Sequence, residues 1–137
     1  CRNRSHRQSP HDHLWREANR WSIKPAVCYD LRFPKWLRND GMAYDLLLVC
    51  ANWPASRREA WATLLKARAI ENLCYVAGCN RTGIDGVDGE YSGDSAIIDY
   101  KGLPMADCRG ATATTTTLDK EKLATFRKRW PLYLDFD

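Results

Sequence analysis

Cys28 is the residue in this sequence whose position best suits a nucleophile. It lies at the end of a short apolar run, and a polar turn and Pro34 follow it closely. A thiol at the end of a buried strand and just before a turn is where an α/β protein can present a nucleophile. The alternative is a structural thiol, because free cysteine often packs as a small hydrophobic side chain.

A cysteine nucleophile also needs a group that moves protons and donors that stabilise the developing oxyanion. The three histidines (His6, His11 and His13) all precede Cys28, so a Cys-His pair is not expected. The base would therefore have to be a carboxylate, with a lysine to hold the oxyanion. The turn after Cys28 can supply backbone N–H groups, including that of Tyr29. The spacing of the sequence does not indicate which of the acids Asp30, Glu71, Glu90 and Asp94 could act as the base for Cys28.

The elements that must position Cys28 alternate between strand and helix patterns. The pattern predicts strands over residues 23–29, 45–51 and 74–80, with a short helix over 34–39 and a longer one ending near Asn72. Right-handed crossovers would make the three strands parallel. Their carboxyl ends carry Cys28-Tyr29, Asn52-Trp53 and Asn80-Arg81, and ligands bind at that edge of such sheets. The apolar run 45–51 predicts a strand covered on both faces.

The longer predicted helix begins with a capping-box pattern, Ser56 at the N-cap and Glu59 three residues later. Its apolar stripe comprises Trp61, Leu64, Leu65 and Ala69. The basic residues Arg57, Arg58, Lys66 and Arg68 are expected to point elsewhere.

The C-terminal part predicts a mobile glycine-rich loop and then a β-meander. The loop covers residues 82–93, and the three meander strands cover 95–100, 105–108 and 111–117, with Lys101-Gly102 turning the first hairpin. Asp119 is expected to cap a last helix over residues 120–130, which Pro131 ends.

Charge and cysteine usage restrict the class of protein. The net charge of +4 comes from residues 1–24, and the remainder is neutral, so nucleic-acid binding is not favoured. No run is apolar enough for a membrane helix. The six cysteines form no C-x-x-C pair, which favours reduced thiols in a cytoplasmic protein over a disulfide framework or a zinc site. His11-Asp12-His13 lacks a convincing third ligand, so neither a metal nor another cofactor is expected.

Seven motifs occur in an order that is similar to the nitrilase, or carbon–nitrogen hydrolase, superfamily. The first is Cys-Tyr-Asp-Leu-Arg-Phe-Pro at residues 28–34, which resembles the nucleophile motif of that superfamily. The others lie at residues 44–48, 51–54, 65–72, 78–83, 91–95 and 126–131. Ala-Asn-Trp-Pro at 51–54 and Arg-Ala-Ile-Glu-Asn at 68–72 resemble the bacterial omega-amidase branch.

The resemblance implies an α/β fold, part of an α-β-β-α sandwich that dimerises. It implies hydrolysis of a small ω-amide, such as an amide of a 2-oxo acid, through a cysteine thioester. Cys28 matches the nucleophile, and the Tyr29 N–H matches an oxyanion donor. Asn52 and Trp53 match residues of the substrate pocket. Three further residues, Arg32, Glu71 and Asn80, are expected to brace the turn and the strand ends.

The sequence departs from the family in its N-terminal part. The superfamily uses a Glu-Lys-Cys triad whose Glu and Lys lie well upstream of the cysteine. In this sequence Glu17 is the only glutamate before Cys28 and Lys24 is the only lysine. Neither residue stands in a family motif. We therefore expect residues 21–137 to be the C-terminal half of the domain. Residues 1–20 are expected to be an atypical basic segment that is either disordered or not native to the family. Two alternatives to a truncated omega-amidase stay open: another amidase or nitrilase of the superfamily, and a non-catalytic module that pairs with another protein through an exposed sheet edge.

Overall fold

Three parallel strands form the centre of the structure. The structure is a computed structural model, and it describes residues 16–18, 20–87 and 89–135. They are β2 (Trp21–Val27), β3 (Leu46–Ala51) and β4 (Tyr75–Asn80). In register, Val27 lies beside Cys50, and Cys50 lies beside Cys79. The predicted parallel order is confirmed, so the three carboxyl ends do meet at one edge of the sheet.

Three shorter strands complete this sheet. The strand β1 (Arg16–Ala18) pairs antiparallel with β2, within the segment that was expected to be disordered; residues 1–15 and 19 lie outside the described residues. On the other side β7 (Ala96–Ile98) pairs with β4, and β8 (Pro104–Ala106) pairs with β7. The order is β1-β2-β3-β4-β7-β8.

The helix α1 (Arg58–Asn72) packs on one face of the sheet. Gly78 permits this packing: a Cβ there would lie 2.6 Å from a methyl of Leu65 and 2.9 Å from the Trp61 ring. Trp61 and Leu65 are fully buried with Leu47, Val49 and Val76 in the core. The expected stripe therefore does form the core.

The opposite face of the sheet differs from the sequence prediction. Alternate residues of β3 are exposed, including Leu48 at 37%, and Val27 on β2 is 66% exposed. The prediction that both faces of β3 are covered is wrong for this chain, since α1 and the 3₁₀-turns bury only one side. An all-apolar strand with one exposed face is what remains when a second packed layer is absent.

Two predicted details of the crossovers are also wrong. The helix expected at residues 34–39 is replaced by a 3₁₀-helix over Cys28–Arg32 and a hydrogen-bonded turn at 34–37. Ser56 caps nothing, because the 3₁₀-turn Ala55–Arg57 precedes α1 and places Arg57 at the N-cap. In both cases the chain turns helical earlier than the sequence signal suggested.

The loop expected over residues 82–93 is instead an antiparallel hairpin of β5 (Thr82–Ile84) and β6 (Glu90–Ser92). Asp85 orders its turn by accepting hydrogen bonds from the N–H groups of Val87 and Gly89 and from the Tyr91 hydroxyl. The third meander strand at 111–117 is absent: this extended segment pairs with no strand.

The C-terminal helix agrees with the prediction. The helix α2 covers Lys120–Arg129, and the Asp119 carboxylate accepts a hydrogen bond from Lys122 N–H. Its Arg127 reaches the amino ends of the strands, where it bonds Asp45 at 2.8 Å and the carbonyls of Leu73 and Tyr44. No helix among the described residues is long and apolar enough to cross a membrane.

Candidate active site

Cys28 occupies a strained backbone position directly after β2. Its φ is +42°, in the left-handed region that a residue with a Cβ adopts at a cost of about 1–2 kcal/mol. It is the first residue of the 3₁₀-helix Cys28–Arg32, and its side chain is half-buried. Such strain persists only where the surroundings impose it, and it clusters at functional sites.

The Asp30 side chain fixes the entry to this turn. Its Oδ2 accepts a hydrogen bond from Val27 N–H at 2.9 Å, and its backbone carbonyl accepts from Phe33 N–H at 3.0 Å. The first N–H groups of a helix have no partner within it, and the role of the Tyr29 N–H as an oxyanion donor stays a prediction. The Tyr29 ring lies outside, 65% exposed and edge-on to Phe33.

Asn52 directly follows β3 and Asn80 ends β4, at the sheet edge where β2 leads into Cys28. The Cys28 Sγ lies 3.9 Å from the Asn52 carbonyl oxygen. Asn80 Oδ1 accepts from Trp53 N–H at 2.7 Å, while its Nδ2 donates to Trp53 O at 3.0 Å and to Gly93 O at 2.8 Å. The convergence expected from the sequence is therefore present, and Asn80 ties β3, β4 and the β5–β6 hairpin together.

The two residues expected in the substrate pocket have different surroundings. Asn52 is exposed beside the thiol, whereas the Trp53 side chain is 3% exposed and packs against Trp61. The Trp53 indole N–H donates to Arg57 O at 2.8 Å, and the Arg32 guanidinium lies 4.9 Å from its ring centre. In this chain Trp53 is a buried packing residue, and its role toward a substrate stays a prediction.

Arg68 was expected from the sequence to point away from the core, and that expectation is wrong. The side chain is 4% exposed and donates two hydrogen bonds to the Leu31 carbonyl, from Nε at 3.0 Å and from Nη2 at 2.7 Å. Its Nη1 bonds Glu71 at 2.8 Å. The helical spacing could have indicated this orientation, since position 68 lies on the same face of the helix as Trp61, Leu65 and Asn72.

An open cleft of about 890 Å³ lies beside the carboxyl end of β4. Its lining includes Asn80, Asp94 and the segment 108–114, whereas Cys28 lies outside it. Asp94 pairs with Arg58 at 2.7 Å, and its backbone carbonyl accepts from the Trp61 indole at 2.8 Å. The carboxylate is thus held by an arginine and is not directed at the thiol.

No acid–base partner for Cys28 is found among residues 16–18, 20–87 and 89–135. Lys24 is directed to another part of the chain, where its Nζ donates to Trp36 O at 2.9 Å. The side chain of Glu17 and the His11-Asp12-His13 motif lie outside the described residues. Within the described part, no group of three or more His, Cys, Asp or Glu side chains could hold a metal ion.

The other thiols are distinguishable from Cys28. Cys74 is fully buried, and that burial raises the pKa of its thiol far above the usual range, so it is a packed structural sulfur. Cys50 and Cys79 are exposed on the sheet face that α1 leaves uncovered. Among the five cysteines that the structure describes, Cys28 alone combines an accessible thiol with a strained turn.

The sequence matches one protein family and several of its characterised members. The family model of the carbon–nitrogen hydrolases matches residues 11–128, which begins earlier than the expected boundary at residue 21. Omega-amidase YafV of Escherichia coli K12 is 50% identical over 119 residues, 85% of this chain and 46% of that protein. The 2-oxoglutaramate amidase of Bacillus subtilis is 40% identical over 111 residues, 80% of this chain and 42% of that protein.

A solved structure agrees with these relatives. A CN-hydrolase superfamily protein of Xanthomonas campestris, with an arsenic adduct in its active site, superposes with a TM-score of 0.86 at 48% identity. The match covers 90% of this chain and 50% of that protein. The chain therefore spans about half the length of the curated relatives and of the solved protein that it matches.

Proposed function

The chain belongs to the carbon–nitrogen hydrolase family, and we propose that it is the nucleophile-bearing part of an omega-amidase. The observation that supports this proposal best is Cys28 at a strained turn where three strand ends meet, with its Sγ 3.9 Å from the Asn52 carbonyl oxygen. The relatives named above are an omega-amidase and a 2-oxoglutaramate amidase, so a small amide of a 2-oxo acid is the proposed substrate.

The proposed chemistry has two steps. The Cys28 sulfur attacks the amide carbonyl carbon, the C–N bond breaks, and the nitrogen leaves as ammonia after it receives the thiol proton. Water then attacks the thioester, which gives the free acid and restores the thiol. The Tyr29 N–H donates to the oxyanion in both steps.

Proton transfer in both steps needs groups that the described residues do not supply. Members of a catalytic unit act together, so a nucleophile without its base and lysine loses most of its rate enhancement. We therefore propose that turnover requires the part of the relatives that this chain does not span. A homodimer and a cytoplasmic location, where thiols stay reduced, belong to the same proposal.

The test is ammonia release from 2-oxoglutaramate by a protein restored to the length of its relatives. Cys28→Ala should lower the rate by more than about 1000-fold, whereas Thr125→Ala, which changes an exposed residue of α2 outside the proposed site and binding face, should leave it unchanged. Full rate in Cys28→Ala would overturn the assignment. Turnover of a nitrile or of an unrelated amide in place of 2-oxoglutaramate would move the protein to another branch of the superfamily.

The uncovered sheet face favours a second candidate function, a non-catalytic module. Val27, Leu48, Cys50 and Cys79 lie on this face by register and are exposed. The proposed occupant is a polypeptide that supplies the other half of the relatives' length, because that is the layer the chain does not span.

Light scattering of the chain alone and with a separately produced N-terminal half tests this binding function. A discrete one-to-one complex without amidase turnover supports the module. A folded monomer that does not bind the added half would contradict the module hypothesis. Amidase turnover in the complex would also contradict it.

A further inference from the structure

The turn that carries Cys28 is anchored at its far end by one buried arginine. Arg68 lies on α1, and two of its donors converge on the Leu31 carbonyl, at 3.0 Å from Nε and 2.7 Å from Nη2. Leu31 is the fourth residue of the 3₁₀-helix Cys28–Arg32, and its side chain is fully buried. A planar guanidinium with two donors on one oxygen fixes both the distance and the orientation of that carbonyl.

The near end of the same turn is anchored separately. The Asp30 carboxylate holds Val27 N–H at 2.9 Å. Between these two anchors the backbone has few ways to close, and the observed one places Cys28 at φ +42°. If the Leu31 carbonyl were released, the turn could relax toward an ordinary φ, and the thiol and the Tyr29 N–H would move with it.

We infer that Arg68 is a positioning residue for the nucleophile, which acts through the Leu31 carbonyl to hold Cys28 in its strained conformation. The inference rests on the proposed function for its catalytic meaning. The geometric claim concerns only the reactivity and orientation of Cys28 and can be measured without turnover.

The ion pair between buried Arg68 and partly exposed Glu71 explains why the anchor is rigid. The Arg68 side chain is 4% exposed and that of Glu71 is 40% exposed, with 2.8 Å between Nη1 and Oε1. Glu71 thus binds the one guanidinium nitrogen that does not reach Leu31, and it prevents the planar group from rotating. Lysine cannot reproduce this, because it is a single point donor on a flexible stem.

The experiment compares the alkylation rate of each cysteine by iodoacetamide, resolved by peptide mass spectrometry as a function of pH. Arg68→Lys and Arg68→Met should lower the Cys28 rate by about threefold or more, while the Cys50 and Cys79 rates in the same molecules stay unchanged. Glu71→Gln should have a smaller effect on Cys28, because both bonds to Leu31 remain.

Arg127 provides a matched control at the opposite end of the strands. Like Arg68, it donates two hydrogen bonds to backbone carbonyl oxygens, here those of Leu73 and Tyr44, and one to a carboxylate, at 2.7–2.8 Å. Arg127→Met should destabilise the protein without changing the Cys28 rate relative to the other thiols. A Cys28 rate in both Arg68 variants within about twofold of the original would overturn the inference.

An equal rise for all thiols, including buried Cys74, would also overturn it, since Arg68 would then serve the fold as a whole. In the protein restored to full length, Arg68→Lys should lower kcat by about tenfold or more with little change in KM. Altered Cys28 alkylation without any amidase turnover would leave the positioning role in place and reject the proposed function.

Discussion

Asn80 and Trp53 form a two-way hydrogen-bonded pair across the ends of β4 and β3. Asn80 Oδ1 accepts from Trp53 N–H at 2.7 Å, and its Nδ2 donates to Trp53 O at 3.0 Å. The side chain thus takes the place of one further residue of sheet pairing beyond the end of β3. Because Nδ2 also donates to Gly93 O at 2.8 Å, the amide is fully used.

This pair predicts a large effect of Asn80→Asp. The carboxylate keeps an acceptor for Trp53 N–H but loses the donors to two carbonyls, so we expect a loss of about 2–4 kcal/mol of unfolding free energy in urea denaturation. The exposed neighbouring change Asn52→Asp is the control and should cost less than about 0.5 kcal/mol. Equal effects of the two changes would show that the amide pair contributes little.

Asp30 should stabilise the fold mainly through the hydrogen bond that its side-chain oxygen accepts, and less through its charge. Asp30→Ala removes the acceptor of Val27 N–H and should lower the unfolding free energy by about 1 kcal/mol. Asp30→Asn keeps an oxygen in that place and should recover most of the loss. Thermal unfolding of both variants measures this, and an Asn variant as unstable as the Ala variant would contradict it.

Asp45 should make stability depend on acid pH. Burial of its carboxyl favours a higher pKa, but hydrogen bonds from Lys120, from Ser22 N–H and from Arg127 outweigh burial and lower the pKa below its usual value. A depressed pKa stabilises the folded state above the unfolded value of about 3.9, and this stability is lost as pH falls through the folded pKa.

Urea denaturation at several pH values tests this dependence. The original protein should lose stability below about pH 4. Asp45→Asn should cost about 3 kcal/mol at neutral pH, since Arg127 is left without its carboxylate, and should reduce the decline in acid. If the unfolding free energy falls as steeply with decreasing pH in Asp45→Asn as in the unchanged protein, other carboxyl groups cause the loss.

Gly78 should tolerate no side chain. A Cβ at this position would lie 2.6 Å from one Leu65 methyl and 2.9 Å from the other and from the Trp61 ring. Gly78→Ala should therefore cost about 1–3 kcal/mol by forcing α1 away from β4. Gly86→Ala, where nothing lies within 4 Å, is the matched control for urea denaturation and should change stability by less than about 0.5 kcal/mol.

Much of the framework was predictable because it depends on local patterns. Apolar runs separated by turn residues predicted the three parallel strands, and Asp119 and Pro131 predicted both ends of α2 within one residue. The hairpin over β5 and β6 was missed because its glycines indicate flexibility by composition alone. Its order comes from Asp85, whose carboxylate binds two N–H groups and the Tyr91 hydroxyl.

The sequence alone determined which strand ends meet and that Cys28 stands among them, because the order of parallel strands follows from crossover handedness and apolar patterning. Only the tertiary structure decided that Cys28 is strained, that Trp53 is buried and that Arg68 points inward to Leu31. These properties depend on contacts between residues far apart in the chain, 37 positions in the case of Arg68 and Leu31. A periodic pattern specifies the face of an element, whereas its buried polar partners are fixed only when a second element packs against that face.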